Sequence, residues 1–227
     1  MITEDEVKAF FGKVGKQYEG SRYNYIRHLR GINIKKELGE GSVLDIGVNC
    51  GHLAAEYLIS QRFVGIDISY NCLLEARLMV KGTAVNASAL NLPIKDSIFD
   101  YVVCSEVLYY LHDANILLQE AFRVLKAGGK LIVVSSNQMY FKLGKQLGSL
   151  LGLVPKDINE RTFYPGQIVR MLKQNRFKYV KVRGYGVIPF KGFRFLDRTF
   201  LEKMAIGQIS TAIKPYDSSS TILEGIK

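Results

Sequence analysis

Between residues 41 and 135 the chain alternates two patterns. Short runs that are apolar on both faces predict buried strands: Ser42-Val-Leu-Asp-Ile-Gly47, Phe63-Val-Gly-Ile-Asp-Ile68, Phe99-Asp-Tyr-Val-Val-Cys104 and Leu131-Ile-Val-Val-Ser135. Thr83-Ala-Val-Asn86 is a weaker strand signal. Between them, apolar residues recur at helical spacing. Leu53, Ala54, Tyr57 and Leu58 share one side of 51–61, and Leu73, Leu74, Ala76 and Met79 follow Ser69, a predicted N-cap. Ile116, Leu117, Ala121, Val124 and Leu125 predict a third helix, stopped by Gly128-Gly129.

Strands buried on both faces and alternating with helices predict a parallel sheet covered by helices, so 41–135 reads as an open α/β sheet. In such sheets ligands bind beyond the carboxyl ends of the strands, which directs attention to Gly47–Gly51, Asp67–Tyr70, Ser88–Leu92 and Cys104–His112. After residue 136 the pattern weakens. A helix is predicted from Pro165 through Leu172, a strand over Tyr179–Arg183 and a final strand over Thr221–Ile226. Residues 136–163 and 186–219 are less regular and read as segments capping the sheet. The expected organisation over 1–227 is one domain: a helical N-terminal cap (1–40), a ligand-binding core (41–135), and a lid with C-terminal strands (136–227).

Composition narrows the class. With 48% apolar and 23% charged residues, the 227-residue chain has material for a sizeable core, which argues against disorder. No apolar run reaches the ~18–20 residues of a membrane-spanning helix. The start, MITEDEVKAFFGK, lacks the apolar stretch of a secretory signal, so a cytoplasmic protein is expected. Cys50, Cys72 and Cys104 share no CxxC spacing and no His cluster joins them, so neither a disulfide framework nor a metal site is expected. The net charge of +10 is uneven: −4 over 41–125 against +12 over 126–227.

The first strand ends in Asp45-Ile-Gly47-Val-Asn-Cys-Gly51, and a helix follows at once. A tight turn of this kind aims backbone N–H groups and a helix N-terminus at a ligand. Asn49 is one of the few non-glycine residues that tolerates positive φ. The dinucleotide fingerprint would need glycine at 47, 49 and 52, but 49 is Asn and 52 is His, which argues against NAD or FAD. Asp67 ends the second strand and is placed to accept hydrogen bonds from ribose hydroxyls. Plain turn chemistry for the glycines, and a helix-terminus acid for Asp67, are the plainer readings of each alone.

Taken together, these segments resemble the class I S-adenosylmethionine-dependent methyltransferases. Val43–Gly51 is similar to their first motif and Phe63–Asp67 to their second. Ser88–Pro93 and Asp96–Leu108 are similar to the third and fourth. Phe122-Arg-Val-Leu-Lys-Ala-Gly-Gly-Lys130 is similar to the turn before their fifth strand, with Ala127 in place of proline. The likeness is strongest to the small-molecule group that includes the quinone and sterol methyltransferases, and Tyr18 matches a tyrosine common near that group's N-terminus. The resemblance implies a Rossmann-like, doubly wound α/β sheet of seven strands with the last antiparallel, for which Thr221–Ile226 is the candidate. It implies S-adenosylmethionine as cofactor, with Asp45, Gly47 and Gly51 at the methionine part, Asp67 at the ribose, and Asn49 and Ile68 also among the cofactor-binding residues. Ser88 and Ala89 would flank the adenine, and Ser105 and Glu106 would border the transferable methyl. The family often has an acid where this chain has Ser88, whose hydroxyl would be a weaker, neutral acceptor for the adenine amino group.

Methyl transfer from a sulfonium is an in-line displacement that depends on positioning and electrostatics, and a base is needed only when the acceptor holds its proton tightly. His112, Tyr18 and Tyr109 are the catalytic candidates, and packing or helix-flanking roles stand beside each. His52 is expected to line the cofactor end. The implied acceptor is a small or lipid-like molecule. The basic amphipathic stretch 141–151 and the segment 189–200, where Phe190, Phe193, Phe195 and Phe200 interleave with Lys191, Arg194 and Arg198, would suit peripheral contact with an anionic membrane surface. The charge alone would also suit RNA, but no RNA-binding motif accompanies it. An RNA-modifying methyltransferase and a non-catalytic nucleoside-binding module on the same fold stay as alternatives. The lid that shapes the acceptor pocket is the least regular part of the chain, so the acceptor stays open at this stage.

Overall fold

The structure is a computed structural model, and it describes residues 3–14, 24–58, 62–136, 163–185 and 207–216. Its elements run α1 (Glu4–Val14), α2 (Asn24–Lys35), β1 (Ser42–Ile46), α3 (His52–Tyr57), β2 (Arg62–Asp67), α4 (Tyr70–Met79), β3 (Thr83–Asn86), β4 (Phe99–Ser105), α5 (Ala114–Val124), β5 (Leu125–Ser136), α6 (Pro165–Gln174), β6 (Lys178–Tyr185) and β7 (Gly207–Ile213). A 3₁₀ turn, Leu108–Tyr110, follows β4. Among the described residues no helix is long and apolar enough to cross a membrane. Tyr18, the segments 141–151 and 189–200, and Thr221–Ile226 lie outside the described residues.

The strands form one seven-stranded sheet in the order β3-β2-β1-β4-β5-β7-β6. Strands β1 to β5 pair in parallel, and β7 is antiparallel to both β5 and β6. Adjacent residues feed opposite faces. Leu44, Val102, Leu131 and Val133 pack with Leu117, Ala121 and Leu172 of α5 and α6. Val43, Val103, Ile132 and Val134 pack with Ile34, Ala54 and Leu73 of α2, α3 and α4. This two-sided burial is why the central strands read as continuous apolar runs.

Two expectations are corrected. The antiparallel strand is Gly207–Ile213, inside a stretch read as irregular. Its sequence GQISTAI is polar at Gln208, Ser210 and Thr211, yet these side chains are buried because the strand is inserted between two others. A strand flanked on both edges has no solvent face to mark it by alternation. The third helix is also not stopped by Gly128-Gly129. It ends at Val124, and Leu125 enters β5 directly, opposite Phe99. The glycines lie in a register irregularity between Leu125 and Lys130. There Lys126 turns back to the Asp100 carboxylate at 2.8 Å.

The sheet order reverses between β1 and β4, and this topological switch leaves a crevice beyond their carboxyl ends. Helix α2 is brought over that crevice by close packing on α3. A Cβ on Gly31 would lie 2.5 Å from the Glu56 Cβ, so only glycine allows the approach. His28 and Arg27 of α2 then meet the Glu56 carboxylate, His28 Nδ1 at 2.8 Å and Arg27 Nε at 3.6 Å.

Candidate functional site

A cavity of about 370 Å³ occupies the crevice, within the range of small-ligand pockets. Its floor is the turn after β1. Gly47 and Val48 donate their N–H groups to the Ile66 carbonyl (2.8 and 3.0 Å), which folds the chain back on β2. Gly47 has φ +80°, and a Cβ there would lie 2.3 Å from Val107 Cγ2. Any side chain would therefore meet both a left-handed backbone and the β4 loop. Asn49 takes φ +50°, and its N–H donates to Asp67 Oδ2 at 2.8 Å. Asp67 Oδ1 accepts from Ser69 N–H at 2.8 Å, and Asn86 Nδ2 donates to the carbonyls of Asp67 and Ile68 (2.9 Å each). Burial pushes the Asp67 carboxyl above its ordinary value, and the N–H groups of Ser69, Asn49 and Ile68 oppose that only in part.

At the other end the walls are charged and aromatic. Asp45, only 2% exposed, accepts from the Tyr57 hydroxyl at 2.5 Å. Burial pushes its carboxyl up to about 7; the Tyr57 bond pulls it down, and the nearby Asp67 charge adds to the rise. Glu106 follows β4 with φ +60°, a strained conformation that turns its side chain out of the strand line. Its carboxylate receives Ser136 Oγ at 2.9 Å and faces Arg30 Nη2 at 2.9 Å. Burial raises the Glu106 carboxyl against the pull of Arg30 and Ser136. Arg30 also donates from Nε to the Tyr185 hydroxyl at 3.2 Å. Burial lowers the affinity of Arg30 for its proton, but Glu106 and Tyr185 outweigh this and hold it charged. Phe11, Tyr110 and Tyr109 form a chain of edge-on rings with centroids 5.0 and 5.3 Å apart.

Among the residues predicted for the site, Asp45, Gly47, Asn49, Asp67, Ile68, Ala89, Ser105, Glu106 and Tyr109 all line the cavity. Gly51 stands one step behind, at the start of α3, and shapes the loop without reaching the cavity. Ser88 also does not line it. His52 and His112 do not either, and His112 is exposed. The helical N-terminal cap supplies lining residues that sequence reasoning did not name: Glu4, Val7 and Phe11 of α1, and Ile26, Arg27 and Arg30 of α2. The i, i+3, i+7 spacing of the first three was a readable signal for one buried face.

Leaving aside atoms held in ion pairs, three buried polar atoms of lining residues, Asn49 Oδ1, Ser105 Oγ and Tyr109 Oη, have no hydrogen-bond partner among the described residues. Buried polar groups are normally paired, so these mark positions where a ligand would complete the bonding. Lining carboxylates at Glu4, Asp45, Asp67 and Glu106 suit a ligand that is cationic and rich in hydroxyl and amino donors.

The fold and this cradle define a class: a Rossmann-like enzyme that binds a nucleoside-type cofactor at the switch point. Residues 44–133 match the methyltransferase domain family. The chain is 25% identical to the demethylmenaquinone methyltransferase of Geobacillus sp. (strain WCH70), over 80% of this chain and 92% of that one. Its fold is similar to a solved S-adenosylmethionine-dependent methyltransferase of Thermotoga maritima, described as a possible histamine N-methyltransferase (TM-score 0.74, 20% identity, 91% of this chain and 99% of that chain). It is also similar to magnesium protoporphyrin IX methyltransferase of Synechocystis, solved with S-adenosylhomocysteine (TM-score 0.68, 16% identity, 93% and 100%). Residues 44–133 thus form a methyltransferase domain, and the fold together with the relatives supports an S-adenosylmethionine-dependent methyltransferase.

Proposed function

We propose that the cavity holds S-adenosylmethionine along the β1 turn, with its adenosine toward Asp67 and Ala89 and its reactive end toward Glu106, and that the acceptor is a small lipid-like molecule entering beside Tyr109, Tyr110 and Phe11. The cofactor supplies a methyl group made electrophilic by the sulfonium. The residues around it do the rest. Asp67 accepts from the ribose hydroxyls while its N–H partners keep the carboxylate in place. Gly47, Asn49 and Asp45 shape the floor for the methionine part, with Gly51 holding the turn. Ser105 and Glu106 border the methyl, and the rings exclude water from the line of attack. Tyr109, whose hydroxyl has no partner among the described residues, is placed to orient the acceptor's heteroatom. Glu106, whose proton affinity burial raises, is placed to hold a proton released from it.

The observation that carries this reading is the shared cavity: the Asp67 turn and the Arg30–Glu106 pair open onto one volume. The quinone substrate in the relative's name supports a lipid-like acceptor. The adjacency of β7 to β5 supports reading the cap, core and C-terminal strands as one functional unit. Peripheral membrane contact through 141–151 and 189–200 is supported by their sequence alone. The test is titration calorimetry with S-adenosylhomocysteine, followed by incubation with methyl-labelled cofactor and a panel of phenols, amines and isoprenoid quinols. Stoichiometric binding, with label passing to an organic-soluble product, is expected. A folded protein that gives no binding heat ends the reading.

A further inference from the structure

Helix α1 lays Glu4, Val7 and Phe11 across the cavity, with Phe11 against Tyr110 at the acceptor end. Its start is held by a reciprocal cap. Thr3 N–H donates to Glu6 Oε2 at 2.8 Å, and Glu6 N–H donates to Thr3 Oγ at 3.3 Å. Its far end is held by the Phe11–Tyr110 ring contact and by Cys72 Sγ, which donates to the Phe11 carbonyl at 3.6 Å. The Glu4 carboxylate is thereby brought to the loop after β3, where the Ser88 hydroxyl donates to it. The same hydroxyl accepts from Leu90 N–H at 3.0 Å. Its proton is committed to Glu4 and one lone pair to Leu90, and its side chain does not line the cavity. Glu4 does.

Four carboxylates line the cavity. Asp45 and Glu106 sit at the reactive end, and Asp67 is held at the turn by two N–H groups. The slot beyond Asp67 is walled by Val7, Ile68, Ala87 and Ala89, and Glu4 is the charged acceptor there. A planar base in an apolar slot with a carboxylate at its rim is read through an exocyclic amino donor, which adenine has and hypoxanthine lacks.

We infer that Glu4 is the residue that recognises the adenine amino group, and that Ser88 is a positioning residue that orients the Glu4 carboxylate. This rests on the proposed adenosyl site. It replaces the expectation that the Ser88 hydroxyl itself accepts from the base. It also makes α1 part of the binding site.

The test is calorimetric titration of the full chain with S-adenosylhomocysteine and with S-inosylhomocysteine, with melting curves run on each variant. The wild type should bind the adenosyl compound at least about tenfold more tightly, the scale of one hydrogen bond to a charged group at a partly exposed site. Glu4→Gln should lose about tenfold for the adenosyl compound and little for the inosyl compound, so the preference collapses at unchanged Tm. Ser88→Ala should lose about threefold. The double variant Glu4→Gln/Ser88→Asp returns a carboxylate from the loop side and should recover most of the preference. If the wild type binds neither compound, the adenosyl site itself is wrong. If it binds S-adenosylhomocysteine and Glu4→Gln keeps the full preference, the Glu4 assignment alone is overturned. A double variant that recovers nothing overturns it too.

Discussion

The two ends of the cavity are built in different ways. The β1-turn side, proposed above for the cofactor's adenosine, is backbone: Gly47, Val48, Asn49 and Ser69 donate N–H groups into β2 and its Asp67 within about twenty residues of chain. The reactive end is made of side chains from distant segments. Arg30 reaches Glu106 across 76 positions and Tyr185 across 155, while Ser136 closes the set from the end of β5. A backbone-built turn tolerates few substitutions. A side-chain network can be rewritten one residue at a time, so on the proposed reading acceptor choice would reside there.

This contrast can be broken by substitution. The largest effect is expected at Gly47→Ala, which places a Cβ against Val107 on a left-handed backbone. A loss of about 2–4 kcal/mol in stability, with loss of S-adenosylhomocysteine binding, should show in melting and calorimetry. Adding Val107→Ala should restore the steric part and not the conformational part. Next, Asp67→Ala should weaken S-adenosylhomocysteine by roughly a hundredfold, about 3 kcal/mol for two hydrogen bonds to a charge. An unchanged heat in a folded variant would remove Asp67 from the ribose role.

At the other end, Arg30→Met leaves Glu106 without its cation. Because both side chains are partly solvated, about 1–2 kcal/mol is expected, well below the loss for a fully buried pair. Adding Glu106→Gln should return much of it, measured by chemical denaturation as a double-mutant cycle. Cofactor affinity should change less here than acceptor turnover. If the two fall together, the division between the ends is not real.

A pH series sharpens the picture further. The Asp45 carboxyl sits near 7 in the fold and near 3.8 when unfolded. Below about pH 4 both states carry the proton. As pH rises toward 7 the unfolded chain releases it while the fold retains it, so stability falls across that window and levels off above it. Asp67 and Glu106, also raised by burial, add to the same slope. Asp45→Asn should therefore flatten the decline of Tm with pH by several degrees without abolishing it. The smallest effect is expected at Lys126→Met, below about 1 kcal/mol, since that ion pair with Asp100 is partly exposed to solvent. Burial pushes the Asp100 carboxyl up, but Lys126 together with the N–H and hydroxyl of Ser42 outweighs it and holds the group at about 2. This ion pair therefore weakens only in strong acid.

The strands β1, β2, β4 and β5 were legible because burial on both faces demands continuous apolar runs. The turn was legible because its conformation demands Gly47, a permissive Asn49 and a closing acid at 67. These are local requirements, met within a few residues, so they leave a mark on consecutive positions. The insertion of β7, the placing of α1 and α2 over the crevice, and the meeting of Arg30, Glu106, Ser136 and Tyr185 left no such mark. Each depends on which distant segments the sheet order sets side by side, and a Gln, an Arg or a Glu looks the same in the chain whether it will face solvent or a cavity wall. Exchange of the expected acceptor at Ser88 for the carboxylate of Glu4 is the sharpest case, since a hydrogen bond between residues 84 positions apart exists only once the helix is laid across the loop.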